Sequence, residues 1–312
     1  MTASALWCIA PGEVEIRPGT EGAGTLVETA FTGISRGTER LVSEGRVPRD
    51  EWHRMRAPFQ EGDFPFPVKY GYSAVGVAQD GRHAGNPVFA LFPHQDRFRL
   101  PETNLIPLPP RVPPERAVLA ANMETALNII WDSQAGAGDR IAIIGAGLVG
   151  LLTGYLAARL PGAEVTLVDP LRQRARPARN LGCEFAISPP AGQDVVIHCS
   201  ATQAGLASAI DAAGPGAVVV EASWHGRGLT ALPLGGAFHS RRLRLISSQV
   251  GTLPSERLPR WTTRRRLEKA LELLADPVLD LLISGETALM DLPSEYPRIL
   301  ADPDTLCHRI RF

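Results

Sequence analysis

The chain has 312 residues, 44% hydrophobic and 21% charged, with a formal net charge of −1 from 32 basic and 33 acidic side chains. That is a globular composition long enough for two domains, and its charge balance argues against a nucleic-acid partner or an acidic membrane surface. Four dispersed cysteines, Cys8, Cys183, Cys199 and Cys307, form no C-x-x-C pair, so neither a disulfide framework nor a zinc knuckle is expected.

The opening MTASALWCIAPGEVEI lacks a basic start and turns charged early, so no signal peptide is expected and a cytoplasmic location is. ALWCIA and EVEIR flank a Pro-Gly turn, TLVETAFTGI is a β-rich run, and SAVGVA follows a turn at Gly71. A helical period over the first 110 residues occurs only near 50–56. PLPPRVPPER (107–116) is a connector, and Pro114 and Glu115 suit the first turn of a helix through AVLAANMETALNIIWDS.

After GAGD the pattern becomes strand–helix alternation. RIAIIGAG, EVTLVDP, DVVIHCSA, AVVVEASW and LRLISSQV are mostly continuous apolar runs, as expected of parallel strands buried on both faces. RRRLEKALELLADPVLDLLI predicts a further helix, and CHRIRF a short closing strand. The apolar run 141–160 is long enough to cross a bilayer, but its glycine spacing reads as a buried strand and helix. The fold class expected is α/β.

The fingerprint Gly145-Ala146-Gly147-Leu148-Val149-Gly150 follows the strand RIAII. Gly145 permits a tight turn, Gly147 lets backbone approach a pyrophosphate, and Gly150 allows close helix–strand packing; the N–H groups opening the helix at Leu148 and Val149 face the phosphates. Asp169 closes the next strand, where a carboxylate can accept both ribose hydroxyls and repel a 2′-phosphate, so NAD is favoured over NADP. Arg172 and Arg174 follow closely and read as solvated helix arginines, with a softening of that preference as the alternative. Ser200 and Ser223, at the ends of later strands, are expected beside the nicotinamide. Cys199 reads as a small core residue, with a nucleophile as the alternative.

FTGISRGTE, KYGYSAVGV, a mid-chain GAGLVG domain and a return segment together resemble the medium-chain dehydrogenase/reductase superfamily. The resemblance implies a GroES-like substrate domain from residues 1–116, completed by 261–312, around an inserted Rossmann domain at 117–260. It also implies hydride transfer between a nicotinamide cofactor and a small-molecule alcohol or carbonyl. Zinc-dependent members take metal ligands from three places, matched here by Ser35 or Arg36, by Tyr72, and by Ala121-Asn122, none of which offers a good zinc ligand. VFALFPHQDRFRLP runs across the position of the structural-zinc lobe. The chain is thus identified as similar to zinc-free members, with the wording GIS-x-GTER nearest the bacteriochlorophyllide hydroxyethyl dehydrogenase branch.

Without zinc, a side chain must handle the hydroxyl proton. By the resemblance Tyr72 occupies the position nearest the reacting centre, either donating a proton or filling the vacated cavity, and Thr38 aligns with the proton-relaying Ser/Thr. Lys69 could depress the tyrosine's pKa unless strand alternation points it away. His94 is the other candidate acid, with a hydrogen-bonded loop as its alternative reading. FPFPVKYGY and Trp52 suggest a flat or cyclic substrate. Superfamily members pair through the strand within LRLISSQVG, which implies a homodimer. An enone or quinone reductase and a non-catalytic redox sensor are the alternative functions.

Overall fold

Gly12, at φ +75° in the Pro-Gly turn, folds Ala3–Ala10 (β1) back on Glu13–Gly19 (β2) as an antiparallel hairpin. The computed structural model describes residues 2–312. Thr25–Ser35 (β3) leads directly into the helix Arg36–Ser43 (α1). Glu61–Gly62 (β4), Val68–Lys69 (β5), Ala74–Ala78 (β6), Pro87–Ala90 (β7), Arg97–Leu100 (β8) and Ile106–Pro107 (β9) follow as short strands. Pro114–Ala117 (α2) has proline in its first turn, where the missing N–H costs nothing, and Ala120–Ser133 (α3) continues the helical path.

Then come Arg140–Ile144 (β10), Leu148–Ala157 (α4), Glu164–Val168 (β11), Ala175–Asn180 (α5), Glu184–Ala186 (β12), Gln193–His198 (β13), Gln203–Ala212 (α6), Ala213–Glu221 (β14) and Arg244–Ser247 (β15). Their strands form one parallel sheet of order β12-β11-β10-β13-β14-β15. Strand order reverses between β10 and β13, the place where open α/β sheets take ligands. Ile141, Ala142, Ile143, Val196, Ile197, Val219 and Val220 are all fully buried, which explains the unbroken apolar runs.

Thr263–Leu273 (α7), Ile283–Ala288 (β16), Leu292–Ala301 (α8) and Cys307–Arg311 (β17) complete the chain. β17 pairs antiparallel with β3, so both ends of the sequence build one seven-stranded sheet; a smaller sheet runs β2-β1-β5-β4. Two compact units result: a terminal unit (residues to Ala121, and Leu271–Phe312) and a central unit, Asn122–Ala270. Their boundaries fall later than the expected 116 and 260. No helix among the described residues is long and apolar enough to cross a membrane; the run 141–160 is divided between β10 and α4.

Two local readings change. The region 50–56 holds only a single 3-10 turn, Arg49–Glu51, while the eight-residue α1 begins within the GIS-x-GTER wording itself. Arg174 is buried rather than solvated. Arg266, in the Arg-rich start of α7, is 2% exposed and bonds Glu124 (2.9 Å), Asn128 (2.5 Å) and the Val250 carbonyl (2.5 Å), tying α7 to α3.

Candidate active site

In the central unit, Gly145 adopts φ +106°, and a Cβ there would lie 2.8 Å from the Ser200 amide nitrogen. A Cβ on Gly150 would sit 1.9 Å from the Gly145 carbonyl oxygen, so helix α4 packs on the turn only because that side chain is missing. Gly147 is different: a Cβ there would meet nothing within 4 Å. Protein packing does not demand this glycine, and the space above it suits a pyrophosphate drawn close to backbone. Gly147 caps α4 without a side-chain hydrogen bond, so the N–H groups at Leu148 and Val149 open the helix toward that space.

Asp169 reaches back to the same turn. Its carboxylate accepts from Ala146 N–H (2.8 Å) and Leu171 N–H (2.9 Å), one bond per oxygen, leaving a lone pair on each for a ribose diol. The cradle therefore fits a dinucleotide.

Ser200 and Ser223 lie beyond β13 and β14, around a group that sequence reading did not assemble. His198 and Glu221 are register partners at the ends of these strands, and His198 Nδ1 lies 2.7 Å from Glu221 Oε2. His198 Nε2 lies 2.7 Å from Ser200 Oγ, and Ser223 N–H donates to Glu221 Oε1 (2.7 Å). Ser223 Oγ accepts from Ala201 N–H (3.0 Å). His225 points Nε2 at Glu221 Oε2 (3.3 Å). Burial pushes the Cys199 thiol up to about 12, reinforced by the Glu221 charge, which suits an inert residue rather than a nucleophile.

In the terminal unit, Gly71 at φ +118° turns the chain into Tyr72; a Cβ on it would strike the His94 ring at 2.9 Å. The Tyr72 hydroxyl shares hydrogen bonds with the Ser35 and Thr38 side chains. Burial pushes this phenol up to about 12, opposed by those two bonds and assisted by the charge of Glu39. The tyrosine thus stays protonated at neutral pH, and Lys69 does not depress it. Lys69 is fully buried with its ammonium on Gln95 (2.5 Å) and Glu61 (2.5 Å).

Glu39 organises the turn that carries Ser35 and Thr38. Ser35 N–H donates to its Oε1 (2.7 Å), and the Tyr296 hydroxyl donates to Oε2 (2.7 Å). His94 is 1% exposed, with Nε2 on Glu39 Oε2 (3.0 Å) and Nδ1 on Thr32 Oγ1 (2.7 Å). Both its nitrogens are engaged, as a hydrogen-bonded loop requires. Tyr296 was missed because α8 contains Pro293 and Pro297, which disguise its helical period.

Zinc at the three matched positions does not fit these residues. Ser35 and Tyr72 bond each other, Ala121 has no donor, and Glu39 is committed to three partners. Among the described residues, one group of three His, Cys, Asp or Glu side chains converges closely enough for a metal, and it is His198, Glu221 and His225 in the central unit.

No protein-family model matches the chain. It is 25% identical over 198 residues, 58% of its length, to D-guloside 3-dehydrogenase of Escherichia coli K12, and so spans 57% of that relative. It is 36% identical over 101 residues to an uncharacterized zinc-type alcohol dehydrogenase-like protein of Haemophilus influenzae, covering 32% of this chain and 29% of that one. Among solved structures, an E. coli CFT073 protein described as a short chain alcohol dehydrogenase, complexed with NADH, superposes with TM-score 0.77 at 16% identity over 99% of both chains. The chain thus has the two-domain α/β fold of dehydrogenases.

Proposed function

We propose that the chain is an NAD(H)-dependent oxidoreductase that moves hydride between the nicotinamide and a small alcohol or carbonyl substrate, handling the proton without catalytic zinc. The observation that carries the reading is the cradle of Gly145, Gly147 and Gly150 closed by Asp169, with open space above Gly147 that the fold itself does not use. A dehydrogenase relative and an NADH-bound structural neighbour support the reaction class. The Asp169 carboxylate supports NAD over NADP. The cofactor would supply or accept the hydride; the protein's own residues bind it and manage the proton.

Tyr72 supports the zinc-free part of the reading. A phenol held neutral by burial is a proton donor to a carbonyl oxygen, with Ser35 and Thr38 fixing its direction and relaying the proton. Glu39 and His94 act behind them as positioning residues, through the Ser35 N–H. The aromatic setting of Tyr72, edge-on to Tyr70 at 6.0 Å, favours a flat or cyclic substrate, although the D-guloside relative makes polyols the other class to try.

The test is to follow nicotinamide absorbance over a panel of ring alcohols, ketones and polyols, then to compare Tyr72→Phe on the best substrate. Turnover should fall roughly 10²–10⁴-fold, the worth of a general acid, with NADH affinity unchanged. A Tyr72→Phe enzyme of near wild-type rate would reduce Tyr72 to cavity filling and withdraw the zinc-free mechanism.

A further inference from the structure

His198, Glu221 and His225 are arranged as a built site. Each turns one atom inward and has its other polar atom held from behind. His198 keeps Nε2 on Ser200 Oγ (2.7 Å), Glu221 keeps Oε1 on Ser223 N–H (2.7 Å), and His225 keeps Nδ1 near Thr230 Oγ1 (3.4 Å). What remains, His198 Nδ1, Glu221 Oε2 and His225 Nε2, converges: the carboxylate oxygen lies 2.7 Å from one imidazole and 3.3 Å from the other. The His225 Nε2 is buried and makes no hydrogen bond of acceptable geometry. A buried imidazole nitrogen aimed at a carboxylate without a proper bond is a group awaiting a partner.

We propose that His198, Glu221 and His225 form a binding site for a divalent transition-metal ion, zinc by preference, at the carboxyl ends of β13 and β14. Two imidazoles and a carboxylate are an established zinc donor set, and three protein ligands leave a fourth position open for water or a ligand oxygen. Bonds of about 2.0–2.1 Å in tetrahedral geometry set neighbouring donors roughly 3.3 Å apart. The His225–Glu221 pair already has that spacing, and the His198–Glu221 pair, at 2.7 Å, reaches it by opening about 0.6 Å. The held outer atoms are what metal-bound histidines and carboxylates require, since they fix the tautomer and aim the lone pair.

The ion would fasten the irregular segment after β14, which carries His225, to the end of β13. All three residues belong to the central unit and none is among the matched zinc positions, and the site does not rest on the nucleotide reading.

Untagged full-length chain, stripped with a chelator, is titrated with Co²⁺ and with Zn²⁺, following cobalt d–d absorption and heat. One ion per chain is expected. His225→Gln and Glu221→Gln should each weaken binding by at least about 100-fold, and Ser200→Ala by roughly 10–100-fold through loss of the outer hydrogen bond. Tyr72→Phe, in the other unit, should bind as wild type does, and circular dichroism checks that each variant is folded. Absence of binding at equimolar, micromolar ion, or equal affinity in wild type, His225→Gln and Glu221→Gln, would overturn the site.

Discussion

Three glycines written in one fingerprint have three different reasons to be glycine. Gly150 is required by the fold, because any side chain would collide with the Gly145 carbonyl; Gly147 is required by nothing inside the chain. Two substitutions should therefore separate folding from binding. Gly150→Ala should destabilise the chain by about 1–3 kcal/mol, as overpacking does. Gly147→Ala should change stability by less than about 1 kcal/mol, yet lower NADH affinity roughly ten-fold or more by obstructing the phosphates. Urea unfolding and NADH fluorescence titration read the two effects, and a Gly147→Ala chain with undiminished NADH affinity would contradict a pyrophosphate above that residue. These roles were legible in sequence because they depend on local spacing. The Glu39–His94–Tyr296 network was not, since its members lie on β3–α1, on a loop and on α8, and only tertiary packing joins them.

At the scale of elements, the parallel strands were visible as apolar runs and the termini of β1 and β2 as a Pro-Gly turn. α1 was hidden by its brevity, with only Leu41 and Val42 to mark an apolar face. The His198–Glu221 pairing was hidden for another reason: strands β13 and β14 were each recognisable, but their register decides which end residues meet. β15 ends the parallel sheet, and its outer edge has no strand partner among the described residues. Leu245 and Ile246 are half-buried there. An open edge of this kind invites a second copy, which supports the proposed homodimer. Light scattering at micromolar concentration should give twice the chain mass, and Ser247→Pro, which removes an N–H on the open side of β15, should shift the protein toward monomer. A monodisperse wild-type monomer would rule the pairing out.

The whole molecule combines a terminal unit closed by the β3–β17 pairing with a central unit whose strand order reverses beside the glycine turn. The inserted domain was read through the resemblance carried by FTGISRGTE, KYGYSAVGV, the mid-chain GAGLVG and the return segment, not from chain order alone. What the sequence left open, the fate of the proton and the histidine group at the strand ends, depends on contacts between residues far apart in the chain. The central claim is a dinucleotide site closed by Asp169, and it can be tested before any substrate is known. Wild-type chain, titrated with NADH and NADPH, should prefer NADH. Asp169→Ser should weaken NADH binding by about 10–100-fold, the worth of hydrogen bonds to a charged group, and narrow or reverse the preference. Unchanged NADH affinity in Asp169→Ser would contradict it.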